Sequence, residues 1–192
     1  MSLTSGSKIQ TGFLIPMIGV ISAGKSTIIN VLLNENLLET NDNITTKFIN
    51  IIKYNPSLTY PSFTHIIPKK NNENNVYDFI VDNNYKKIDG QNLKIDEILN
   101  EEEMKSKIKE MTLIKIKEEI KKINKNIRDK ESKNEINIQQ DLFYLTEVND
   151  IPFTENKNFF LNHCLVDIPG LSESHSIDKN NNNIINTDNA EN

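Results

Sequence analysis

The longest apolar stretch of the chain covers residues 13–21 and carries Pro16 inside it. A continuous run of this kind predicts a strand buried on both faces, as in the centre of a parallel sheet, where alternation is lost. A glycine turn follows, and then residues 27–38 with Ile28, Ile29, Val31, Leu32 and Leu33, which predict a helix buried on most of its circumference. Residues 48–54 (FINIIKY) and 77–81 (YDFIV) are rich in β-branched and aromatic side chains and bounded by Asn and Pro, so both read as strands. Pro56 and Pro61 mark the turn between Tyr54 and Phe63.

From residue 95 to about residue 130 the pattern changes. Ile108, Met111, Ile116, Ile120, Ile123 and Ile127 recur at three- to five-residue intervals, which puts them on one helical face. Glu101, Glu102 and Glu103 open this segment and Lys121, Lys122 and Lys125 lie toward its end, charges that suit the helix dipole. The heptad-like spacing is too short to demand a coiled coil. Residues 142–148 and 159–168 read as two further strands, expected to form an antiparallel pair across the loop containing Pro152. The organisation expected is a flexible segment over 1–12, one domain over 13–172 with an Asn- and Lys-rich insertion at about 83–140, and a disordered Asn-rich tail over 173–192. The Asn-dense stretches at 71–75 and 180–183 hold little apolar surface to offset ordering entropy and are expected to be mobile.

Composition narrows the classes. The 192 residues are 26% charged with a net charge of −5, which fits one domain with a solvated exterior and offers no broad cationic surface for nucleic acid. The single cysteine, Cys164, makes no internal disulfide and fits a reducing, cytoplasmic location. The nine-residue apolar run at 13–21 falls short of the roughly 20 residues that span a bilayer, and no signal-peptide cleavage pattern follows it. Asn, Ile and Lys are abundant at 30, 29 and 21 residues against a single Arg, Arg128, a skew that A- and T-rich codons explain without invoking a selected surface.

Two motifs carry chemistry. Residues 19–26, with Gly19, Val20, Ile21, Ser22, Ala23, Gly24, Lys25 and Ser26 in order, match G-x-x-x-x-G-K-[ST] at an expected strand-to-helix junction. Glycines there let successive amides turn inward around phosphate oxygens, and the following helix points its positive end at the same place. Lys25 would reach the β- and γ-phosphates and the Ser26 hydroxyl would take one Mg²⁺ position. The second motif is Asp167, Ile168, Pro169 and Gly170 after an apolar strand. An Asp at such a strand end can hold the Mg²⁺ water shell, and the Gly amide can meet a γ-phosphate. On its own this motif is also ordinary turn chemistry. His65, His163, His175 and Cys164 make no metal pattern, since His163 and Cys164 are strand neighbours facing opposite sides. Asn43, Ile44 and Thr45 match a glycosylation acceptor, which a cytosolic chain does not use.

The segment from Ile15 and Pro16 through Lys25, Ser26 and Thr27 resembles the start of a dynamin-type GTPase domain, and Asp167 to Gly170 is similar to that family's D-[LI]-P-G motif. Ile44, Thr45, Thr46 and Lys47 resemble its switch I stretch, with Thr46 the best match to the switch threonine. The resemblance implies an α/β P-loop NTPase fold of the Ras-like three-layer kind, binding GTP with Mg²⁺. It implies that Gly19, Ser22, Ala23, Gly24, Lys25, Ser26, Thr27 and Gly170 contact nucleotide. Ser26, Thr46 and Asp167 are implied at the metal, and Thr46 and Ser22 in catalysis, Ser22 by helping to hold a charge-compensating cation. Self-association through the GTPase domain is also implied, and membrane association only through regions outside this chain.

Three departures bear on this. The family commonly has Gln before that Ser, where this chain has Ile21; the Thr46–Asp167 interval is long; and no [NT]-K-x-D motif occurs, so the domain reads as incomplete at its C-terminal side. Guanine specificity and hydrolysis therefore rest on the resemblance alone. A non-catalytic interaction or regulatory fragment and an ATP-using P-loop enzyme are the alternatives.

Overall fold

The computed structural model of the chain describes residues 7–40, 46–71, 76–91, 93–137, 141–151 and 157–170. In chain order the elements are β1 (Lys8–Ile9), β2 (Phe13–Met17), α1 (Lys25–Leu33), β3 (Ile49–Tyr54), β4 (Ser62–Asn71), β5 (Val76–Val81), β6 (Ile88–Asp89), α2 (Glu101–Ser132), β7 (Phe143–Val148), α3 (Lys157–Asn162) and β8 (His163–Asp167). All eight strands join one mixed sheet in the order β1, β5, β4, β7, β3, β8, β2, with β6 pairing β4. The fold is α/β.

Two strand pairs fix where the motifs lie. β2 runs parallel to β8, Met17 opposite Asp167, so the chain leaves both strands at the same end of the sheet. β3 runs antiparallel to β8 and places Asn50 opposite Asp167, which brings the residues just before β3 to that end as well.

The main core lies on one face. Ile29 and Leu33 of α1 and Leu113, Ile116, Ile120, Ile123 and Ile127 of α2 pack there with Phe48, Ile52, Phe63, Tyr144 and Leu165. Each such side chain contributes roughly 1.5–3 kcal/mol when fully buried. The stripe expected of α2 is therefore its buried face, Met111 excepted, which is only partly buried. Asn100 starts this helix: its side chain accepts from the Glu103 amide and the Glu103 carboxylate accepts from the Asn100 amide, a reciprocal capping box. The opposite face of the sheet holds a smaller cluster of Ile51, Ile66, Leu145, Cys164 and Val166, to which no described helix contributes.

Several expectations are corrected. Residues 13–21 are not a strand buried on both faces: β2 ends at Met17, pairs only with β8 among the described residues, and leaves Phe13 71% and Ile18 68% exposed. The helix expected at 27–38 stops at Leu33, because Asn34 turns left-handed at φ 50°, and Ile28 and Val31 face outward. Residues 157–162 are helical, so only 163–167 form the expected strand. β7 and β8 do not pair, since β3 lies between them, parallel to β7 and antiparallel to β8. β4 was not expected, because Pro68, Lys69 and Lys70 obscure it. Its pairing with β7 covers only Ser62 to His65, so Pro68 falls where one side of the strand has no ladder and a missing N–H is tolerated. The tail at 173–192, His175, Thr45 and the Asn run at 72–75 lie outside the described residues.

Candidate functional site

The loop between β2 and α1 is shaped by backbone conformations that its residues permit. Gly24 adopts φ 76°, directly ahead of the first residue of α1, a position where a side chain would be strained. Ser22 also has positive φ, 59°, a conformation uncommon for a residue with a side chain. The Lys25 ammonium folds back over the loop, donating to the Gly19 carbonyl at 3.1 Å and the Val20 carbonyl at 2.9 Å. Those carbonyls hold the cation beside the loop's concavity, where an anion of higher charge could draw it away. Ser22, Ala23 and Thr27 are exposed, and Gly19, Gly24, Lys25 and Ser26 are half-buried.

Just past the C-terminal end of β8, Gly170 lies against this loop. A Cβ added at Gly170 would come within 2.8 Å of the Ile21 Cα and N, so a side chain there would force the two loops apart. Asp167 itself is fully buried. Its Oδ2 accepts from Thr46 Oγ1 at 2.9 Å and from Ser26 Oγ at 3.1 Å, and the two hydroxyls lie 3.4 Å from each other. Three oxygens far apart in sequence thus converge on one point. Burial pushes the Asp167 carboxyl above the usual carboxylate range; the Thr46 and Ser26 hydroxyls and the Lys25 charge oppose that shift without cancelling it.

Two hydroxyls and a carboxylate are hard oxygen donors. Such a set fits Mg²⁺, which takes few protein ligands and completes its shell with water and phosphate oxygens. Among the described residues no cluster of three or more His, Cys, Asp or Glu could serve as an all-protein metal cage. His65 and His163, the histidines among the described residues, make contacts of their own. His163 stacks on Phe159 and Phe13, and His65 is buried against Asp82. Cys164 is buried, its thiol donates to the Thr11 carbonyl, and burial pushes its pKa up to about 11.

A model described as the Dynamin family matches residues 15–190, which spans the loop, Thr46 and Asp167 together. The chain belongs to the dynamin family. No curated protein matches it. Membership in the dynamin family carries a P-loop GTPase fold and guanine-nucleotide binding, and the β2-loop-α1 unit with β8 alongside is the part of this chain that fits them. No described helix is long and apolar enough to cross a membrane.

The sequence reading missed one polar residue near the site. Asn124 lies on α2 within its apolar stripe, four residues after Ile120 and next to Ile123, and is only 2% exposed. An Asn at a core position of a helix is the signal that could have singled it out.

Proposed function

We propose that this chain binds GTP with Mg²⁺ through the loop at 19–26, Thr46 and the Asp167 to Gly170 turn. The observation that carries the reading is the meeting of Ser26, Thr46 and Asp167 around a fully buried carboxylate. A carboxylate held only by hydroxyls is a poor structural element and a good half-finished metal site. In this reading the loop amides and the N-terminal end of α1 face the phosphates. Lys25 exchanges its two carbonyl partners for β- and γ-phosphate oxygens, and Ser26, Thr46 and Asp167 hold the metal or its waters. Bound there, Mg²⁺ would neutralise phosphate charge. Gly170 keeps the second loop close enough for its amide to face the terminal phosphate. Self-association through the GTPase domain belongs to the same reading and rests on family membership.

Isothermal titration calorimetry with GTP and with ATP, each in excess Mg²⁺, tests this. GTP binding at least tenfold tighter than ATP binding, about 1.4 kcal/mol, is expected. Tighter ATP binding would favour an ATP-using enzyme, and no binding of either would favour an interaction fragment.

A specific residue favours binding with slow turnover. Ile21, the residue before Ser22, is half-exposed and sits against Gly170, and its side chain offers no hydrogen bond to a water. Removal of one positioned polar group costs on the order of 3 kcal/mol in comparable enzymes. Ile21→Gln is expected to raise single-turnover GTP hydrolysis about tenfold, a conservative part of that figure, with GTP affinity nearly unchanged. Brisk hydrolysis by the unaltered chain and no gain in the variant would contradict it.

A further inference from the structure

We infer that Asn124 of α2 is a positioning residue for Thr46, so that the long helix α2 sets how well the site takes its cation. The inference rests on the reading of Thr46 as part of a Mg²⁺ and nucleotide site.

Between α1 and β3 the described residues form two limbs, 34–40 and 46–48, and both are held from outside. On the incoming limb, Asn30 of α1 accepts from the Leu37 and Leu38 amides at 3.0 and 2.8 Å and donates to the Leu38 carbonyl at 2.8 Å. Leu37 and Leu38 are buried beneath. Glu39 follows at once, and its Oε2 accepts from Asn124 Nδ2 at 3.3 Å. On the outgoing limb, the Lys47 amide donates to Asn124 Oδ1 at 3.0 Å. A single buried carboxamide therefore bonds both limbs, using one donor and its acceptor. The Lys47 side chain adds a 2.8 Å ion pair with Glu131, about two helical turns further along the same face of α2. That pair is partly exposed and worth little by itself.

The Lys47 amide belongs to the peptide plane that starts at the Thr46 carbonyl. Fixing that plane limits rotation about the Thr46 Cα, and with it the direction of the hydroxyl that lies 2.9 Å from Asp167. A packing role alone is a poor explanation of Asn124, because an aliphatic residue among Ile120, Ile123 and Ile127 would bury apolar surface at no desolvation cost. What asparagine adds at this position is the pair of directed bonds to Glu39 and Lys47. No described residue of α2 belongs to the three-oxygen cluster, so these bonds, with the weaker Lys47–Glu131 pair, are its link to the residues around Thr46.

The test uses the whole chain and two readouts. The first is amide hydrogen exchange at Lys47 without nucleotide; the second is GTP affinity measured with Mg²⁺ and again with a chelator. Asn124→Ala is expected to speed Lys47 exchange and to weaken Mg²⁺-dependent GTP affinity about tenfold, the low end of losses for residues that orient metal ligands. Affinity in chelator, which depends on the loop and Lys25, should stay unchanged. Asn124→Asp keeps the acceptor for Lys47 but sets a carboxylate against Glu39, so it should also weaken binding. Adding Glu39→Gln restores a donor and acceptor pair and should recover most of the loss, which also covers the case in which the alanine variant fails to fold. Unaltered Lys47 exchange and unaltered Mg²⁺-dependent affinity in Asn124→Ala would overturn the inference. An equal loss in chelator, or no recovery with Glu39→Gln, would do the same by marking a general packing defect. Failure of the unsubstituted chain to bind GTP at all would instead overturn the nucleotide reading, while Lys47 exchange still decides whether Asn124 holds the peptide after Thr46.

Discussion

Two aspartates at different places on the sheet, Asp167 fully buried and Asp82 half-buried, are treated oppositely by their surroundings. Asp82, at the end of β5, lies 2.9 Å from His65 Nδ1 and accepts from the Asn84 amide at 2.9 Å. Burial pushes its pKa up, but the bonds from Asn84 and the hydrogen bond and charge of His65 outweigh that and leave it below the usual range. Around the pair, His65 packs on Tyr144 and Tyr85, Tyr85 donates to Glu119 at 3.0 Å, and burial pushes the Tyr144 hydroxyl up to about 12. The Asp82 carboxylate thus finds its partners within the chain. Asp167 has two hydroxyls and a distant ammonium, and its pKa stays raised. The contrast separates a carboxylate that stabilises the fold from one whose partner is expected to arrive from solution.

The largest effect on stability is expected on the Asp82 side. Asp82→Ala strands the His65 ring, whose Nε2 already has no partner, and should destabilise the fold by about 2–3 kcal/mol while GTP affinity is unchanged. Urea unfolding beside calorimetry reads both. An unchanged midpoint would erase the distinction between the two regions.

On the site side, Lys25→Ala should weaken GTP binding at least tenfold, about 1.4 kcal/mol, and leave circular dichroism unchanged. The lost bonds go only to the half-buried Gly19 and the exposed Val20, so the cost to the fold is small. Equal affinity in the variant would remove the phosphate role of the loop.

The smallest effect has the most informative sign. Asp167 has a raised folded pKa, so without metal it costs stability as pH rises from the ordinary carboxylate range through its folded value. Asp82 has a lowered one, so it contributes stability above the ordinary range that is lost as pH falls through its folded value. Asp167→Asn should therefore stabilise the nucleotide-free chain at neutral pH, by about 1 kcal/mol, and flatten the decline on the alkaline side of the carboxylate range. Thermal unfolding against pH checks it, and a destabilised variant would mean that Asp167 is a structural residue like Asp82.

What the sequence disclosed follows the same division. The loop at 19–26 was legible because its chemistry is local: glycines, a lysine and a hydroxyl at fixed offsets between an apolar run and a helix. The buried face of α2 was legible from spacing alone. Asp167 could be read toward Mg²⁺ from its place after an apolar strand, but Thr46 only through family resemblance, since their meeting depends on β3 lying beside β8, a pairing no local pattern encodes. β4 was hidden because its strand character comes from neighbours on each side rather than from its own Pro- and Lys-containing sequence. The turn of helix at 157–162 was hidden by aromatic residues that suit a strand equally well. Asn124 was passed over because an isolated polar residue among isoleucines reads as noise until its partners are visible.

In the proposed function, Asp167, Ser26 and Thr46 form an oxygen site completed by a divalent cation together with nucleotide. The most direct measurement is GTP affinity as a function of Mg²⁺ concentration for the unsubstituted chain and for Asp167→Asn. The expected result is a defect of about tenfold at low Mg²⁺, in line with the loss of a metal-orienting carboxylate, that shrinks as Mg²⁺ is raised. A defect of the same size at every Mg²⁺ concentration, or no defect at all, would contradict it.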